Sequence, residues 1–584
     1  MIIEHRYKKI RVQKELGEKN IGFLLTNHAG SFFSYNTTQK SRFDGYFVQD
    51  GDTPYKIIDE ILTQNISDRI INKITSIVKK TSQNIEEEYF LPRYKNTLVV
   101  SFSNPTLVAL HLDVRGIFDN REFGRFFEIK ENKNKIIIKY TKKDDDAKVE
   151  FEYFIVINKN KYHKVQNWIK KDYPFDRQRN SYPDQKYVYD ALSLDISDNL
   201  VISASKNLKK AIQENNYILK NLKRLKNVKV IEVKKKIKDN EIFLSYVNSI
   251  NSLLSLSKKD GIMAGLPWFF EYWSRDELLC SKALMLIKRF DFSHTILKKY
   301  SDIIIQKGFI SSIYPDKGLR SADAFGWIFV RLDNLSRINK SKINKIKNML
   351  MSFEREHLKT HSKEILIPNN ALETWMDTDP SASGRSGYRI EMQAFLLKIY
   401  KMLYEYTDDN KYLTSLELLK NKVLHSFYDG KFLYDGIADK TIRPNVFLAT
   451  YIYDQLFDKK TWTSIFNNLI PKLWNQWGGF STIDKSHPTF QNFHTGQDNK
   501  SYHQGDSWYF LNNLAALVLY NLDKKKFAHY IKKIIQASTN EILYMGYVGH
   551  HAELSSSNLQ ESQGCRAQAW SAATFIELVN GVYK

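Results

Sequence analysis

Residues 264–276 read AGLPWFFEYWSRD, and this loop is the first of several similar loops in the C-terminal half of the chain. Its Gly-Leu-Pro is typical of a turn, and five of the six positions 268–273 are aromatic. Aromatic side chains are costly to leave in water, so this cluster predicts a core or a binding cleft. The adjacent Arg275 and Asp276 have two interpretations: a structural ion pair, or a donor and an acceptor for neighbouring hydroxyls of one sugar.

Apolar spacing predicts about twelve amphipathic helices from residue 241 onward. The loops before the second, fourth, sixth, tenth and twelfth are rich in Trp, His, Gly and charged residues, whereas the loops before odd-numbered helices are plainer. Six helical hairpins that close into a double ring would bring the richer loops to one face, around one pocket. We therefore predict an (α/α)6 barrel, with helices near 242–256, 273–289, 292–306, 321–337, 340–357, 388–406, 410–426, 443–455, 459–470, 505–520, 522–538 and 566–580.

The first two hundred residues have the pattern of strands. Segments 98–102, 135–140 and 149–156 are β-branched or aromatic, alternate in part, and are bounded by polar turns. Short strands of this kind predict an N-terminal antiparallel β-sandwich. A Lys-rich amphipathic helix follows and is interpreted as a linker. The predicted domains are a sandwich at 1–204, a helical linker at 205–240 and a catalytic barrel at 241–584.

Composition limits the classes of function. The chain of 584 residues is too long for one core. Its net charge of +22 comes from Lys spread along the whole chain, which indicates a solvated surface and no nucleic-acid partner. Two cysteines make no disulfide framework. With no signal-like start and no long apolar run, we expect a cytoplasmic protein without a membrane partner.

No cofactor or metal is predicted, because the sequence has no P-loop, no dinucleotide glycine fingerprint, no serine elbow and no zinc spacing. Four acidic residues in the C-terminal loops are candidates for chemistry: Asp323, Asp377, Glu391 and Glu553. Asp323 is open to interpretation as a helix N-cap, and Asp377 and Glu553 as solvated loop residues. Trp375 could shield Asp377 from water, which would raise its pKa and suit a general acid.

Other side chains in the same loops are suited to contact with a sugar. Flat rings meet its C–H faces, and polar groups meet its hydroxyls. Carboxylates in an aromatic-lined cleft are typical of glycoside hydrolysis, in which one carboxylic acid protonates the leaving oxygen and a carboxylate activates water. The predicted substrate-binding residues are Trp268, Trp273, Arg275, Asp276, Asp323, Trp375, Arg389, Glu391, His503, Gln504 and Trp570.

These loops resemble the archaeal and bacterial type of glycogen-debranching enzyme, the amylo-α-1,6-glucosidase family. The resemblance covers nearly the whole C-terminal half, and the order and spacing of the motifs make it specific. The N-terminal segments 23–31 and 42–45 also resemble the family's sandwich domain. The motifs are GLPWF (265–269), WSRD (273–276), SADA (321–324), TWMD (374–377), RPN (443–445), YHQG (502–505) and QAWS (568–571).

The resemblance implies an activity and roles for several residues. Asp377 would be the general acid and Glu553 the general base, with Glu391 as the competing carboxylate for the base. Arg275 and Asp276 would hold the non-reducing glucose. The enzyme would release glucose from α-1,6 branch points of glycogen or another branched α-glucan, with inversion and without a cofactor.

The sequence departs from the family at three places, and two other functions stay open. Glu277 stands where a Thr is common, 43–45 reads FDG where YHG is usual, and the loop 555–564 is polar and Gln-rich. The first two should alter the edges of the site. The alternatives are a glucoamylase-like α-1,4 exo-glucosidase and a non-catalytic glucan- or nucleic-acid-binding protein.

Overall fold

The computed structural model describes residues 1–17, 20–227, 232–233, 237–338, 348, 350–351, 365–378 and 385–583. The helix predicted at 340–357 lies almost entirely outside the described residues. The described chain forms two compact units, one of residues 1–259 with 542–550 and the other of residues 260–541 with 551–584. Each unit is described by itself below.

The described residues of the first unit form seventeen strands in two sheets. The strands are β1 (Ile2–Tyr7), β2 (Ile10–Glu15), β3 (Gly22–Thr26), β4 (Phe32–Asn36), β5 (Gly45–Asp50), β6 (Thr53–Thr63), β7 (Arg69–Asn72), β8 (Ile77–Lys80), β9 (Glu86–Phe90), β10 (Thr97–Phe102), β11 (Thr106–Gly116), β12 (Arg125–Asn132), β13 (Lys135–Lys143), β14 (Val149–Asn158), β15 (Lys161–Asp172), β16 (Gln185–Ile196) and β17 (Asn199–Ser205). One sheet has the order β12-β13-β14-β17-β10-β9-β8-β7-β1-β2, and the other has the order β15-β16-β11-β6-β5-β4-β3. Neighbouring strands are antiparallel except the pair β1 and β7. The predicted sandwich is confirmed, and all three segments predicted as strands lie in β10, β13 and β14.

Three helices belong to the same unit: α1 (Pro174–Gln178), α2 (Leu208–Lys226) and α3 (Asn240–Ser255). In β10, Leu98 and Val100 point into the main sandwich core, while Val99 points to the other face. There Val99 packs with Ile218 of α2. The middle of this strand is therefore buried on both faces, which explains why Leu98, Val99 and Val100 are all apolar. The Lys-rich helix α2 lies on the ten-stranded sheet through its apolar side.

The second unit is built on a closed ring of helices. The helices that follow α3 in the described part of the chain are α4 (Ser274–Leu286), α5 (Phe290–Lys307), α6 (Ala322–Ile338), α7 (Ile390–Thr407), α8 (Asn410–Phe427), α9 (Asn445–Ile452), α10 (Lys459–Leu473), α11 (Tyr509–Asp523), α12 (Ala528–Tyr544) and α13 (Ala569–Val582). Six of these are inner helices, which pack in the circular order α4-α6-α7-α9-α11-α13 and back to α4. This arrangement confirms the predicted helical barrel.

The loops that lead into the inner helices are joined to one another by backbone hydrogen bonds. Short antiparallel pairs connect the loops before α4 and α13, before α4 and α6, and before α11 and α13, and the Ala322 N–H donates to Glu373 O at 2.8 Å. These loops therefore meet at one end of the ring. The paired strands, with one further hairpin, are β18 (Gly265–Leu266), β19 (Tyr272–Trp273), β20 (Ile313–Tyr314), β21 (Trp474–Asn475), β22 (Gly479–Phe480), β23 (Ser507–Trp508), β24 (Leu554–Ser555) and β25 (Ala567–Gln568).

The same pairing corrects several predicted helix boundaries. The helices predicted from 273, 505 and 566 begin instead at Ser274, Tyr509 and Ala569, because the preceding residues are held extended in these short ladders. The helix predicted at 443–455 is also shorter. It ends at Ile452 as α9, and a separate 3-10 turn covers Asp454–Leu456.

A buried charged cluster lies toward the other ends of the inner helices. Glu577 of α13 accepts from Lys282 of α4 at 3.0 Å and from the Tyr451 hydroxyl of α9 at 2.7 Å. Arg331 of α6 donates to the same hydroxyl at 2.9 Å. Four inner helices are thus tied together by side chains inside the ring.

Candidate active site

Arg275 joins three of the loops at the end of the ring. Its Nε donates to Asp323 Oδ2 at 2.6 Å, and its Nη1 donates to Asp377 Oδ2 at 3.1 Å. Asp323 also accepts from the Ser321 hydroxyl at 2.8 Å. Arg275 and Asp323 are buried, while the Asp377 side chain keeps 25% exposure. Asp323, for which the sequence left the role of a helix N-cap open, is therefore an ion-pair partner of Arg275 beside Asp377.

The pKa of Asp377 is shifted in the opposite direction from the sequence expectation. Burial raises this pKa, as the shielding argument predicted, but the neighbouring His503 and Arg275 outweigh burial and lower it below its ordinary value. The correction has a simple cause, since the sequence could not show that the Arg275 guanidinium lies against the carboxylate. Asp377 is consequently ionised at neutral pH before any substrate is bound.

Aromatic side chains form one wall beside Asp377. The Trp375 ring meets the rings of His503 and Trp508 edge-on, each at 5.4 Å between centroids. His503 stacks on Trp508 at 5.2 Å, and its Nε2 lies 3.9 Å from Asp377 Oδ1. That separation is too long for a hydrogen bond. The predicted residues Trp375 and His503 are thus brought together with Asp377.

Glu553 is buried and held by two hydrogen bonds. The Tyr502 hydroxyl donates to its Oε1 at 2.5 Å, and the Cys565 N–H donates to its Oε2 at 2.9 Å. The second bond depends on Gly564, which has φ +64° and whose substitution would place a Cβ only 2.3 Å from Glu553 Oε2. Glu553 and Asp377 are linked through two adjacent residues, since Tyr502 bonds to Glu553 and His503 lies 3.9 Å from Asp377. The charge on Asp377 also raises the pKa of Glu553.

Two acidic groups of the site are shifted toward their neutral forms. Burial raises the pKa of Glu553 to about 7, although the hydrogen bonds from Tyr502 and Cys565 lower it. Burial also raises the pKa of Asp276 to about 8; the charge of Arg275 lowers it, and the charges of Glu553 and Asp377 raise it further. Asp276 accepts from Gln568 Nε2 at 3.1 Å. The site therefore gathers several carboxyl groups that share a limited number of positive partners.

Asp435 is a buried acidic residue that sequence reasoning missed. It accepts two hydrogen bonds from Arg385 (both 2.9 Å) and one from Arg389 at 3.1 Å. Asn445 donates to it at 2.7 Å and accepts from the Trp375 indole at 2.7 Å. Asp435 thereby fixes the loop that carries Asp377. Its only sequence signal is an Asp-Gly pair, which is typical of any turn.

Several predicted substrate-binding residues are engaged within the protein. Arg389 donates to Asp435, Asp439 and two backbone carbonyls, and Glu391 is paired with Arg385 at 2.8 Å. Gln504 Oε1 accepts from the Thr489 hydroxyl at 2.8 Å. Arg389 and Glu391 are both buried, so they brace the loops near the site.

Three predicted tryptophans differ in their surroundings. Trp570 is buried and stacks on Phe510 at 4.2 Å, whereas Trp268 and Trp273 are half-buried. The indole nitrogens of Trp273 and Trp570 are buried and have no hydrogen-bond partner among the described residues. Buried donors of this kind are rarely left unpaired, which makes them candidates for bonds to substrate hydroxyls or water.

Glu277, the residue that departs from the family pattern, points away from these groups. It accepts from the Ile262 N–H at 2.9 Å and from Lys299 at 2.6 Å, and it is bonded to the Tyr300 hydroxyl. It therefore ties the chain before α4 to α5. Asp44, which belongs to the second departure at 43–45, lies in the first unit, where it accepts from Asn36 at 2.7 Å and from the Tyr547 hydroxyl at 3.2 Å.

A closed helical ring with carboxylates and aromatic side chains on the loops at one end defines a glycoside hydrolase of the helical-barrel class. Within this class the chain belongs to the amylo-alpha-1,6-glucosidase family, whose model matches residues 242–577. No curated protein matches the chain in sequence. No helix in the described part of the chain is both long and apolar enough to cross a membrane.

One solved structure agrees with this fold over the whole chain. A bacterial glucoamylase complexed with acarbose is similar over 100% of this chain and 98% of its own, with a TM-score of 0.64 and 11% identity. A mannosylglycerate hydrolase from Thermus thermophilus is similar over 57% of this chain and 99% of its own, with a TM-score of 0.43 and 12% identity. The first similarity supports the two-part architecture of sheet and helical ring.

Proposed function

We propose that the protein hydrolyses single α-1,6-glucosidic branch points of glycogen or its limit dextrin and releases glucose with inversion. Membership of the amylo-alpha-1,6-glucosidase family supports this linkage. The observation that carries the proposal is the convergence of Asp377 and Glu553 on one end of the helical ring, each buried enough for its pKa to depend on the other groups there. The cytoplasmic location predicted from the sequence belongs to the same proposal.

In the proposed reaction Asp377 protonates the glycosidic oxygen, and Glu553 takes a proton from the water that attacks the anomeric carbon from the opposite face. The C–O bond to the leaving glucan breaks as the bond from water forms. An inverting enzyme needs about 6.5–9.5 Å between its two carboxyl groups, to leave room for that water. Glu391 is less suited to be the base, because Arg385 holds it in a buried ion pair.

Asp377 must acquire a proton before it can act as an acid. Arg275 stabilises its ionised form in the free enzyme. We propose that the hydroxyls of the bound glucose compete for the Arg275 guanidinium, weaken its contact with Asp377 and allow the carboxyl group to be protonated. Asp276, with its raised pKa and its bond to Gln568, is placed to donate to or accept from a neighbouring hydroxyl.

The decisive experiment compares two substrates and identifies the first product. The protein is incubated with phosphorylase-limit dextrin and, separately, with linear maltooligosaccharides, and the anomer of the glucose released is recorded by NMR before it equilibrates. We expect β-glucose from the limit dextrin and much slower release from the linear chains. Faster release from linear chains would indicate a glucoamylase-like α-1,4 exo-glucosidase. Binding of glucan without glucose release would indicate a non-catalytic protein.

A further inference from the structure

Glu541 is a fully buried carboxylate on the last turns of α12 that the proposed mechanism does not use. Its Oε1 accepts from the Ala552 N–H at 3.0 Å and from the Ser562 hydroxyl at 2.7 Å. Its Oε2 lies 2.8 Å from His551 Nδ1. Both Glu541 and His551 have no exposed side-chain surface. Three groups of one loop therefore converge on a single carboxylate.

These three groups lie at the two ends of the loop that carries Glu553. His551 and Ala552 immediately precede Glu553, and Ser562 lies shortly before Gly564 and Cys565. The two sides of this loop are also joined directly, since the Glu553 N–H donates to Cys565 O at 2.8 Å. Glu541, which belongs to helix α12, thus fixes the two ends of this loop.

The group formed by Glu541 and its partners His551, Ala552 and Ser562, here called the clamp, is also linked to Asp276, the residue that follows Arg275 in the chain. The Gln568 N–H donates to His551 O at 2.7 Å, and the Gln568 side chain donates to Asp276 at 3.1 Å. A change in the position of His551 is therefore transmitted to both Glu553 and Asp276. Catalytic groups must be held within a fraction of an ångström of their working positions, and supporting residues provide this precision.

We propose that Glu541 is a positioning residue that holds Glu553 in the geometry needed to activate water. This inference rests on the proposed function, in which Glu553 is the general base. Glu541 has no contact with a reacting atom in this role. It fixes the loop through three accepted hydrogen bonds, and it keeps Glu553 in the buried surroundings that raise its pKa.

The chemistry of the clamp predicts a difference between two substitutions. In Glu541→Gln the amide oxygen can still accept from Ala552 and Ser562, while the amide N–H₂ can donate to His551, because an imidazole nitrogen accepts in the other tautomer. In Glu541→Ala all three donors lose their acceptor. We expect Glu541→Gln to keep most of the activity, and Glu541→Ala to lower kcat about 100-fold with little change in KM, the effect of a displacement near 1 Å.

The pH profile separates positioning from general loss of stability. When the loop loosens, water reaches Glu553 and its pKa falls, since burial is the largest cause of the raised value. The alkaline limb of the pH profile, where kcat/KM falls as pH rises, should then move to lower pH in Glu541→Ala. The matched control is Glu577→Ala, which removes another buried carboxylate of the same unit that is bound to Lys282 and Tyr451 instead of residues of this loop. It should lower stability without moving the limb.

Three further measurements decide the outcome. Azide, a small nucleophile, should partly restore turnover in Glu553→Ala, where it fills the space of the lost carboxylate, but not in Glu541→Ala. If Glu541→Ala does not fold, Ser562→Ala, which removes one of the three donors, should shift the limb in the same direction by a smaller amount. Equal kinetics for Glu541→Ala and Glu577→Ala would overturn the inference, and so would an unmoved limb in Ser562→Ala. Full activity of Glu553→Gln would instead overturn the proposed function.

Discussion

Arg275 Nη1 lies 3.1 Å from Asp377 Oδ2, so the proposed general acid has a cationic partner in the free enzyme. This contact makes the ionised form of Asp377 the stable one at neutral pH, although burial acts in the opposite direction. Glu553, whose pKa is raised to about 7, holds the proton instead. In the free enzyme the pair is therefore protonated in the reverse of its working order, and substrate binding must redistribute one proton.

This arrangement predicts the pH dependence of kcat/KM. The reactive state of the pair carries one proton, whichever carboxyl group holds it. As pH rises through about 7, that last proton is lost from Glu553, so kcat/KM should fall about tenfold per pH unit above this value. As pH falls through the lowered pKa of Asp377, a second proton binds and kcat/KM should fall again.

Initial rates at low concentrations of limit dextrin, measured from a pH below the lowered pKa of Asp377 up to about pH 9, test this prediction. A value of kcat/KM that keeps rising above neutral pH would contradict the raised pKa of Glu553. The profile of kcat, which reports the enzyme–substrate complex, should show its acid limb at higher pH if glucose draws Arg275 away from Asp377.

Replacement of Asp377 by Asn tests the role of the general acid directly. The amide cannot supply a proton, so kcat should fall by about 10²–10⁴-fold, the usual contribution of such a group. Arg275 keeps Asp323 as its partner, so the fold should persist. Glucan binding, measured by calorimetry, should be retained.

The matched control for Asp377→Asn is Asp333→Asn. Asp333 is a buried carboxylate of α6 that accepts from Lys398 at 2.7 Å and lies away from the loops of the site. Near-normal kcat in the control, together with the loss in Asp377→Asn, would assign the effect to chemistry. Near-normal kcat in both variants would place the acid elsewhere.

The fold was largely predictable because its signals are periodic and local. β-Branched and aromatic residues marked β10, and the spacing of apolar residues marked the helices of the ring, including α4 and α6. The composition of the preceding loops marked five of the six inner helices, whereas α9 follows a plainer loop. Helix starts were less predictable, because residues such as Trp508 are held extended by a partner strand distant in the sequence.

The grouping of the candidate residues was more predictable than their electrostatics. Motifs in the sequence drew attention to Asp377, Glu553 and Arg275. No local pattern shows that Arg275 contacts Asp377, or that Arg389 donates to Asp435. These relationships depend on segments that are far apart in the chain. For this reason the predicted rise in the pKa of Asp377 was wrong.

Gly564 offers a second test of the position of Glu553. A methyl group at this position would lie 2.3 Å from Glu553 Oε2, and φ +64° would strain any side chain. In Gly564→Ala the carboxylate must move, so kcat should fall by about 10–100-fold. Steady-state kinetics on limit dextrin would measure this.

Gly430→Ala is the control for backbone strain alone. Gly430 also has a positive φ, of +93°, but no atom lies within 4 Å of the position of an added Cβ. Both variants should lose similar stability, and only Gly564→Ala should lose turnover. Equal kcat in the two variants would mean that Glu553 does not depend on the close approach of residue 564.

Asp435 should contribute more to stability than any exposed ion pair of the barrel. Burial alone would raise its pKa, but Arg385, Arg443 and Arg389 together lower it, so the ionised form is strongly stabilised. Asp435→Asn leaves these buried guanidinium groups with too little negative charge. Removal of one partner from a buried pair costs about 3–5 kcal/mol, and we expect a loss in this range in urea unfolding followed by tryptophan fluorescence. Because Asn445 links Asp435 to Trp375, kcat should fall as well.

Asp439→Asn provides the comparison for Asp435→Asn, because Asp439 binds the same Arg389 at 2.6 Å but keeps 27% exposure. Water can replace the lost partner there, so the free energy of unfolding should change by less than about 1 kcal/mol and kcat should be nearly unchanged. If the two variants lost equal stability, burial would not be what gives Asp435 its importance. If Asp435→Asn were destabilised but fully active, the link through Asn445 to the loop of Asp377 would have no role in turnover.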